Sequence, residues 1–276
     1  MPNRLSEFLV VTDVDGTLLR AGQPTPERNL KAVKDFREAG GNFTICTGRG
    51  LHAARKVIEE FGIDIPSIHC NGTLIYNFST GEIIKQVFID PVAREWARIF
   101  LKEFPTMGME YVVGHEIWTS RLNPQIQDHI DKFCTAFTMM PLEDAPDGRD
   151  KLLFADEPEV IDRAFAFAEE IMRKDPRFDT LDFTRSSPIY FELIPQGINK
   201  GAALLELADS MGISYNNTVA AGDFYNDLPL LDTAAITAVV AGAPDDLKAK
   251  ATYVVSECME GGVADLLYLL IDQYAD

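Results

Sequence analysis

The amino-acid sequence predicts an α/β fold in which a parallel-sheet domain is interrupted by an inserted α+β domain. Three observations carry this expectation: strand-like and helix-like segments alternate over residues 8–61, the alternation breaks over about 91–195, and it resumes after Asn199. Alternating strands and helices build a parallel sheet, because parallel neighbours need a crossover between them. The segment of different rhythm reads as an insertion, with one domain formed by 1–86 and 195–276 and the other by 87–194. A chain of 276 residues is long enough for two such cores.

Residues 8–12 are a continuous apolar, β-branched run, the pattern of a strand covered on both faces, and Asp13, Asp15 and Gly16 break it. Thr25 is placed to cap a helix with Pro26 at its first position. Leu30, Val33 and Phe36 give that helix an inward stripe, and Gly40 and Gly41 close it. A second buried strand over 43–46 leads to a helix over 52–61 that stops at Gly62, and a third strand begins at 68–70. Segments 74–76 and 83–88 read as hairpin arms around Ser79, Thr80 and Gly81.

The inserted segment reads as helix (92–104), two strands (109–113, 116–120), helix, strand (152–155), helix (158–173) and two strands (179–185, 190–194). Within it, Ile161, Phe165, Ala168 and Met172 form a helix-core stripe. After Asn199 come a helix to Met211, a strand over 218–221, a helix from Asn226, strands over 236–240 and 253–255, and a last helix from Val263.

Composition narrows the function. With 46% hydrophobic and 25% charged residues the chain is globular. A formal charge of −18 opposes the basic footprint of a nucleic-acid or anionic-membrane binder, so neither partner is expected. Small anions remain admissible, since a few N–H groups and a metal ion can reverse a local field. Cys46, Cys70, Cys134 and Cys258 are scattered and read as reduced core thiols. No leader-like or membrane-length apolar run is present, which gives a cytoplasmic expectation. His52, His69, His115 and His129 lack zinc-hydrolase spacing.

The polar residues that punctuate the α/β pattern fall just after strands or at helix starts, positions that share the carboxyl edge of an open parallel sheet, where ligands bind. Asp13 to Thr17 (Asp-Val-Asp-Gly-Thr) could be a tight turn, but a turn gives no reason for a carboxylate at the end of a buried strand, whereas a metal would partner it. Thr47, Gly48 and Arg49 place a hydroxyl, a flexible glycine and a guanidinium after the second strand; a capped turn and a phosphate contact are both open. Lys200 opens a helix, where a cation meets the positive end of the dipole, so it is either a solvated surface lysine or a group that neutralises phosphate. Asp223, Asn226 and Asp227 follow a small apolar strand; Asn226 or Asp227 can cap the next helix, and two more carboxylates make an oxygen-rich pocket of the kind magnesium prefers.

These four segments, in this order and with an insertion between the second and third, resemble the haloacid dehalogenase (HAD) superfamily, specifically Cof-like phosphatases with a C2B-type cap. The resemblance implies a Rossmann-like core, a cap that selects the substrate, and a magnesium (Mg2+) cofactor. It implies a phosphatase acting on small phosphorylated metabolites such as sugar phosphates, nucleotides or phosphorylated cofactors. Carried over residue by residue, it makes Asp13 the nucleophile that forms an aspartyl-phosphate, Asp15 the general acid and base whose carbonyl ligates the metal, and Thr47 and Lys200 the holders of the phosphoryl oxygens. Asp13 and Asp223 become carboxylate ligands, and Asp227 supports the metal shell or pairs with Lys200. Asn71, Gly48, Arg49 and Asn226 become substrate-binding positions, Asn71 also being readable as an Asn-Gly turn. One departure is Ala241-Gly242-Ala243, where many relatives carry Gly-Asn-Ala; it touches neither nucleophile nor ligand. In the cap, His115, Trp118, Arg121, Arg185 and Tyr190 are candidate lining residues, although an aromatic or arginine on a cap strand is more often packing or surface than a ligand contact. A phosphotransferase or phosphomutase on sugar phosphates, and a non-catalytic anion-binding protein, stand as alternatives, and both monomer and homodimer stay open.

Overall fold

The computed structural model describes residues 4–133 and 136–275. The described residues form two compact units, one from 4–48, 54–85 and 199–275, the other from Arg49–Ala53 and the described part of 86–198. The chain runs through β1 (Leu9–Thr12), α1 (Glu27–Glu38), β2 (Asn42–Ile45), α2 (Leu51–Glu60), β3 (Ser67–His69), β4 (Leu74–Asn77) and β5 (Glu82–Gln86). It continues through α3 (Ala93–Glu103), β6 (Gly108–Val113), β7 (Glu116–Arg121), α4 (Pro124–Phe133), β8 (Thr138–Met139), β9 (Lys151–Ala155), α5 (Pro158–Lys174), β10 (Leu181–Ser187) and β11 (Tyr190–Pro195). The α/β rhythm then returns as α6 (Lys200–Ser210), β12 (Thr218–Gly222), α7 (Leu228–Thr233), β13 (Ile236–Val240), α8 (Asp245–Lys248), β14 (Tyr253–Val255) and α9 (Gly262–Tyr274).

In the first unit five parallel strands lie in the order β14-β13-β12-β1-β2. Alternate side chains of a strand face opposite ways, so Phe8 and Val10 join Val33, Phe36, Leu267 and Leu270 in one core layer. Leu9 and Val11 join Leu204, Leu207 and Leu230 in the other. The apolar run of β1 is thus explained by cover on both sides. The third strand is present as β3, which touches the parallel sheet by a single bridge between Ile68 and Cys46 and otherwise heads a separate three-stranded sheet in the order β3-β4-β5. Thr25 does not cap α1; Pro26 occupies the N-cap position without a side-chain cap, its own φ of −60° already suiting a helix start. The helix expected from Asn226 begins at Leu228, after a single 3-10 turn over Tyr225–Asp227.

The second unit is a six-stranded sheet in the order β10-β11-β9-β6-β7-β8. Its pairs are antiparallel except β7 with β8. One face packs Phe154 and Phe191 against Trp96 and Phe100 of α3 and Ile161 and Ala168 of α5, with Phe165 and Met172 partly buried against them, so the predicted stripe is helix core. β8 has only two residues and carries too little pattern to be read from sequence. Trp118 stacks parallel to Tyr111 at 6.4 Å, Arg121 donates to the carbonyl of Leu101 at 3.0 Å, and Arg185 pairs with Asp162 at 2.7 Å. Tyr190 meets the His129 ring edge-on at 5.3 Å.

Among the described residues no helix is long and apolar enough to cross a membrane. Cys46, Cys70 and Cys258 are buried, and Cys134 lies outside the described residues.

Candidate active site

The register of the parallel sheet assembles the site. Thr12 on β1 lies opposite Ala221 on β12 and Ile45 on β2. The pairing runs one residue further on each side, with the Asp13 N–H donating to the Ala221 carbonyl and the Cys46 N–H to the Thr12 carbonyl, both at 2.8 Å. Asp13, Thr47 and Asp223 therefore leave three adjacent strands at the same edge.

Lys200 arrives there from a different element. It is the first residue of α6, whose N-cap Asn199 accepts the Ala202 N–H at 2.9 Å. Its ammonium is fully buried and bonded at 2.5 Å to Asp13 Oδ1 and at 2.5 Å to Asp227 Oδ1. The surface-lysine reading is excluded by that burial. Asp227 uses its second oxygen to accept the N–H groups of Asp223 (3.0 Å) and Phe224 (3.3 Å), which fixes the turn after β12. It does not cap α7.

Asp223 is held from the opposite side. The Thr17 hydroxyl donates to Asp223 Oδ1 at 2.8 Å. Gly16, at φ +99°, lets the carboxylate lie against bare backbone, where a Cβ would stand 2.4 Å from Asp223 Oδ2. Thr17 ends the Asp13–Thr17 motif and carries no role in the sequence expectation. The available signal was a hydroxyl one turn past two carboxylates.

Burial and like charges dominate the electrostatics. The Asp13 carboxyl is held well above the ordinary carboxylate range, by desolvation first, with Lys200 opposing and Asp227, Asp223 and Asp15 adding to the rise. Desolvation and then Asp227 push Asp223 to about 7. For Lys200, burial works to lower the value, but Asp13 and Asp227 outweigh it and keep the ammonium protonated. Asp13, Asp223 and Asp227 each offer an oxygen within 4.8 Å of the others. Once ionised, three carboxylates against one ammonium leave two negative charges, which is the complement of a divalent cation with a preference for oxygen. The residues present fit such an ion.

The remaining sequence candidates divide. Thr47 is buried, with its N–H on the Ile68 carbonyl at 2.9 Å and its own carbonyl accepting from Asn71 at 3.1 Å. Asn71 and Asn226 are also buried and meet side chain to side chain at 3.5 Å. Asp15 is half-buried and bridges to Leu19 in the loop after β1, its carboxylate lying outside the three-carboxylate group. Gly48 ends the first unit's opening segment, while Arg49 groups with the second unit, its guanidinium 4.8 Å from the Phe133 ring and donating to the Ala53 carbonyl at 3.2 Å.

Residues 10–267 match the family described as haloacid dehalogenase-like hydrolase. The chain is 28% identical to a 5-amino-6-(5-phospho-D-ribitylamino)uracil phosphatase of Bacillus subtilis, covering 93% of this chain and 92% of that protein. It is 24% identical to the pyridoxal phosphate phosphatase of Escherichia coli, covering 94% and 97%. The crystal structure of a haloacid dehalogenase-like hydrolase from Bacteroides thetaiotaomicron superposes with a TM-score of 0.80 at 23% identity, over 95% of this chain and 99% of that one.

Proposed function

Because the chain belongs to the haloacid dehalogenase-like hydrolase family, we propose that it is a magnesium-dependent phosphomonoesterase that works through an aspartyl-phosphate on Asp13. The observation that carries this reading is the group of buried Asp13 and Asp227, both bonded to the Lys200 ammonium, with half-buried Asp223 beside them at the carboxyl edge of β1 and β12. Magnesium would be held by the Asp13 and Asp223 carboxylates and the Asp15 carbonyl, with Asp227 supporting the set, and when bound it offsets charge on the phosphoryl oxygens. Asp13 attacks phosphorus, forming an Oδ–P bond as the ester P–O bond breaks, and Asp15 gives its proton to the leaving alkoxide. Asp15 then takes a proton from water, whose oxygen attacks phosphorus, releasing inorganic phosphate and restoring Asp13. Lys200 aims the nucleophile through its 2.5 Å bond and, with Thr47, balances phosphoryl charge.

The relatives act on a ribitylaminouracil phosphate and on pyridoxal phosphate by their names, which supports a small phosphorylated metabolite as substrate here. The inserted unit then selects the leaving group, and Asn71, Asn226, Gly48 and Arg49 serve as substrate contacts. Phosphate release from a panel of phosphorylated metabolites tests the proposal, run with magnesium, with EDTA and with Asp13→Asn. Turnover is expected only with magnesium and the wild-type chain, with Asp13→Asn down by more than about a thousandfold while folded. Undiminished turnover by Asp13→Asn would end the covalent reading, and indifference to EDTA the metal assignment.

A further inference from the structure

β3 ends at His69, and the next three residues all adopt positive φ: Cys70 at +50°, Asn71 at +57° and Gly72 at +106°. They are the segment's departure from ordinary backbone, because Cys70 and Asn71 are the two non-glycine residues of the described chain in that region. L-residues avoid it, and a buried run of three persists only where its surroundings impose it. Cys70, Asn71 and Gly72 are all buried.

The surroundings are three loops of the candidate site. The Asn71 N–H donates to the Thr47 carbonyl at 3.1 Å, and the Asn71 side chain meets Asn226 at 3.5 Å. Gly72 presses on the start of α6: a Cβ there would lie 2.5 Å from the Asn199 carbonyl oxygen and 3.1 Å from the Ala203 Cβ. That carbonyl is the first acceptor of the helix, taking the Ala203 N–H at 3.1 Å, and the residue after it is Lys200.

We propose that Cys70, Asn71 and Gly72 form a backbone positioning element that sets Lys200 against Asp13 and Asp227. Any side chain at 72 displaces the Asn199 carbonyl and with it the first residue of α6. Moving the base of the lysine stem shifts its ammonium from the position in which both 2.5 Å bonds are made. What the element needs from Cys70 is its left-handed backbone. The inference rests on the role proposed for Lys200.

The test is a double-mutant cycle on p-nitrophenyl phosphate hydrolysis with Gly72→Ala, Lys200→Met and their combination, folding being checked by circular dichroism. Gly72→Ala is expected to lower kcat by about 100-fold, the scale of an ångström-sized misplacement, with a smaller change in KM. Added to Lys200→Met it should cost no more than about twofold, because the group it misplaces is already gone. The same loss in both backgrounds, or a folded Gly72→Ala with wild-type kcat, overturns the proposal. Wild-type turnover by Lys200→Met instead removes the role of Lys200, so the two failures are separable. Should Gly72→Ala not fold, Cys70→Val and Cys70→Gly decide: valine resists φ +50° and is expected to lose kcat, glycine to keep it, and equal turnover by the pair overturns the proposal.

Discussion

Replacing Lys200 by methionine keeps the bulk of the side chain and removes the ammonium from between two buried carboxylates. Breaking a buried ion pair from one side strands the remaining charge, at a cost of about 3–5 kcal/mol. At roughly 2–4 °C per kcal/mol for a unit of this size, the metal-free protein should unfold ~6–20 °C lower at pH 8. The penalty depends on pH. Asp13 and Asp223 have folded values raised above their unfolded ones, so their stabilising contribution is complete below about pH 4 and is lost as pH rises through the folded value, about 7 for Asp223. Without the lysine this loss deepens, and the gap between mutant and wild type should shrink from pH 8 to pH 5 as the carboxylates protonate. Thermal unfolding by circular dichroism in EDTA at the two pH values measures it. A Lys200→Met protein as stable as wild type at pH 8 would refute the charge balance inferred for the site.

Two further outcomes follow from the same geometry and from the second core. Magnesium should raise the unfolding temperature more at pH 8 than at pH 5.5, because protons compete with the ion for Asp13 and Asp223; an equal shift at both pH values would count against those ligands. Trp96 is buried, stacked on Phe100 at 4.4 Å and Phe191 at 5.6 Å, so Trp96→Ala should cost about 3–5 kcal/mol. Urea unfolding followed by Trp118, then the single tryptophan, reads that loss as a lower midpoint.

What could be read from sequence was what periodicity and strand ends encode. β1 was legible because a strand covered on both faces must be apolar at every position, and its termination at Asp13 marked the sheet edge. The long helix α5 was legible from its stripe. β3 was legible as a strand, but three buried residues look the same in any sheet, so its pairing with β4 and its single parallel bridge to Cys46 were not. In the site, Asp13, Asp223 and Lys200 stood out as charged groups at places where charge is unfavourable. Thr17 did not, since a threonine after a glycine is unremarkable until Asp223 is found 206 residues away and 2.8 Å distant. Nothing in composition distinguishes the backbone of Cys70 and Asn71 from an ordinary Asn-Gly turn.

Asp13, Thr17, Lys200, Asp223 and Asp227 all come from the first unit, and strand register ties Asp13 to the turn after β12. Slipping β1 by one residue would swing every one of its side chains to the opposite layer, so an insertion or deletion there cannot be absorbed. The stretch from Gln86 to Ile198 contributes none of these groups. A change of length or of surface residues in that stretch therefore leaves the strand register that gathers these groups untouched.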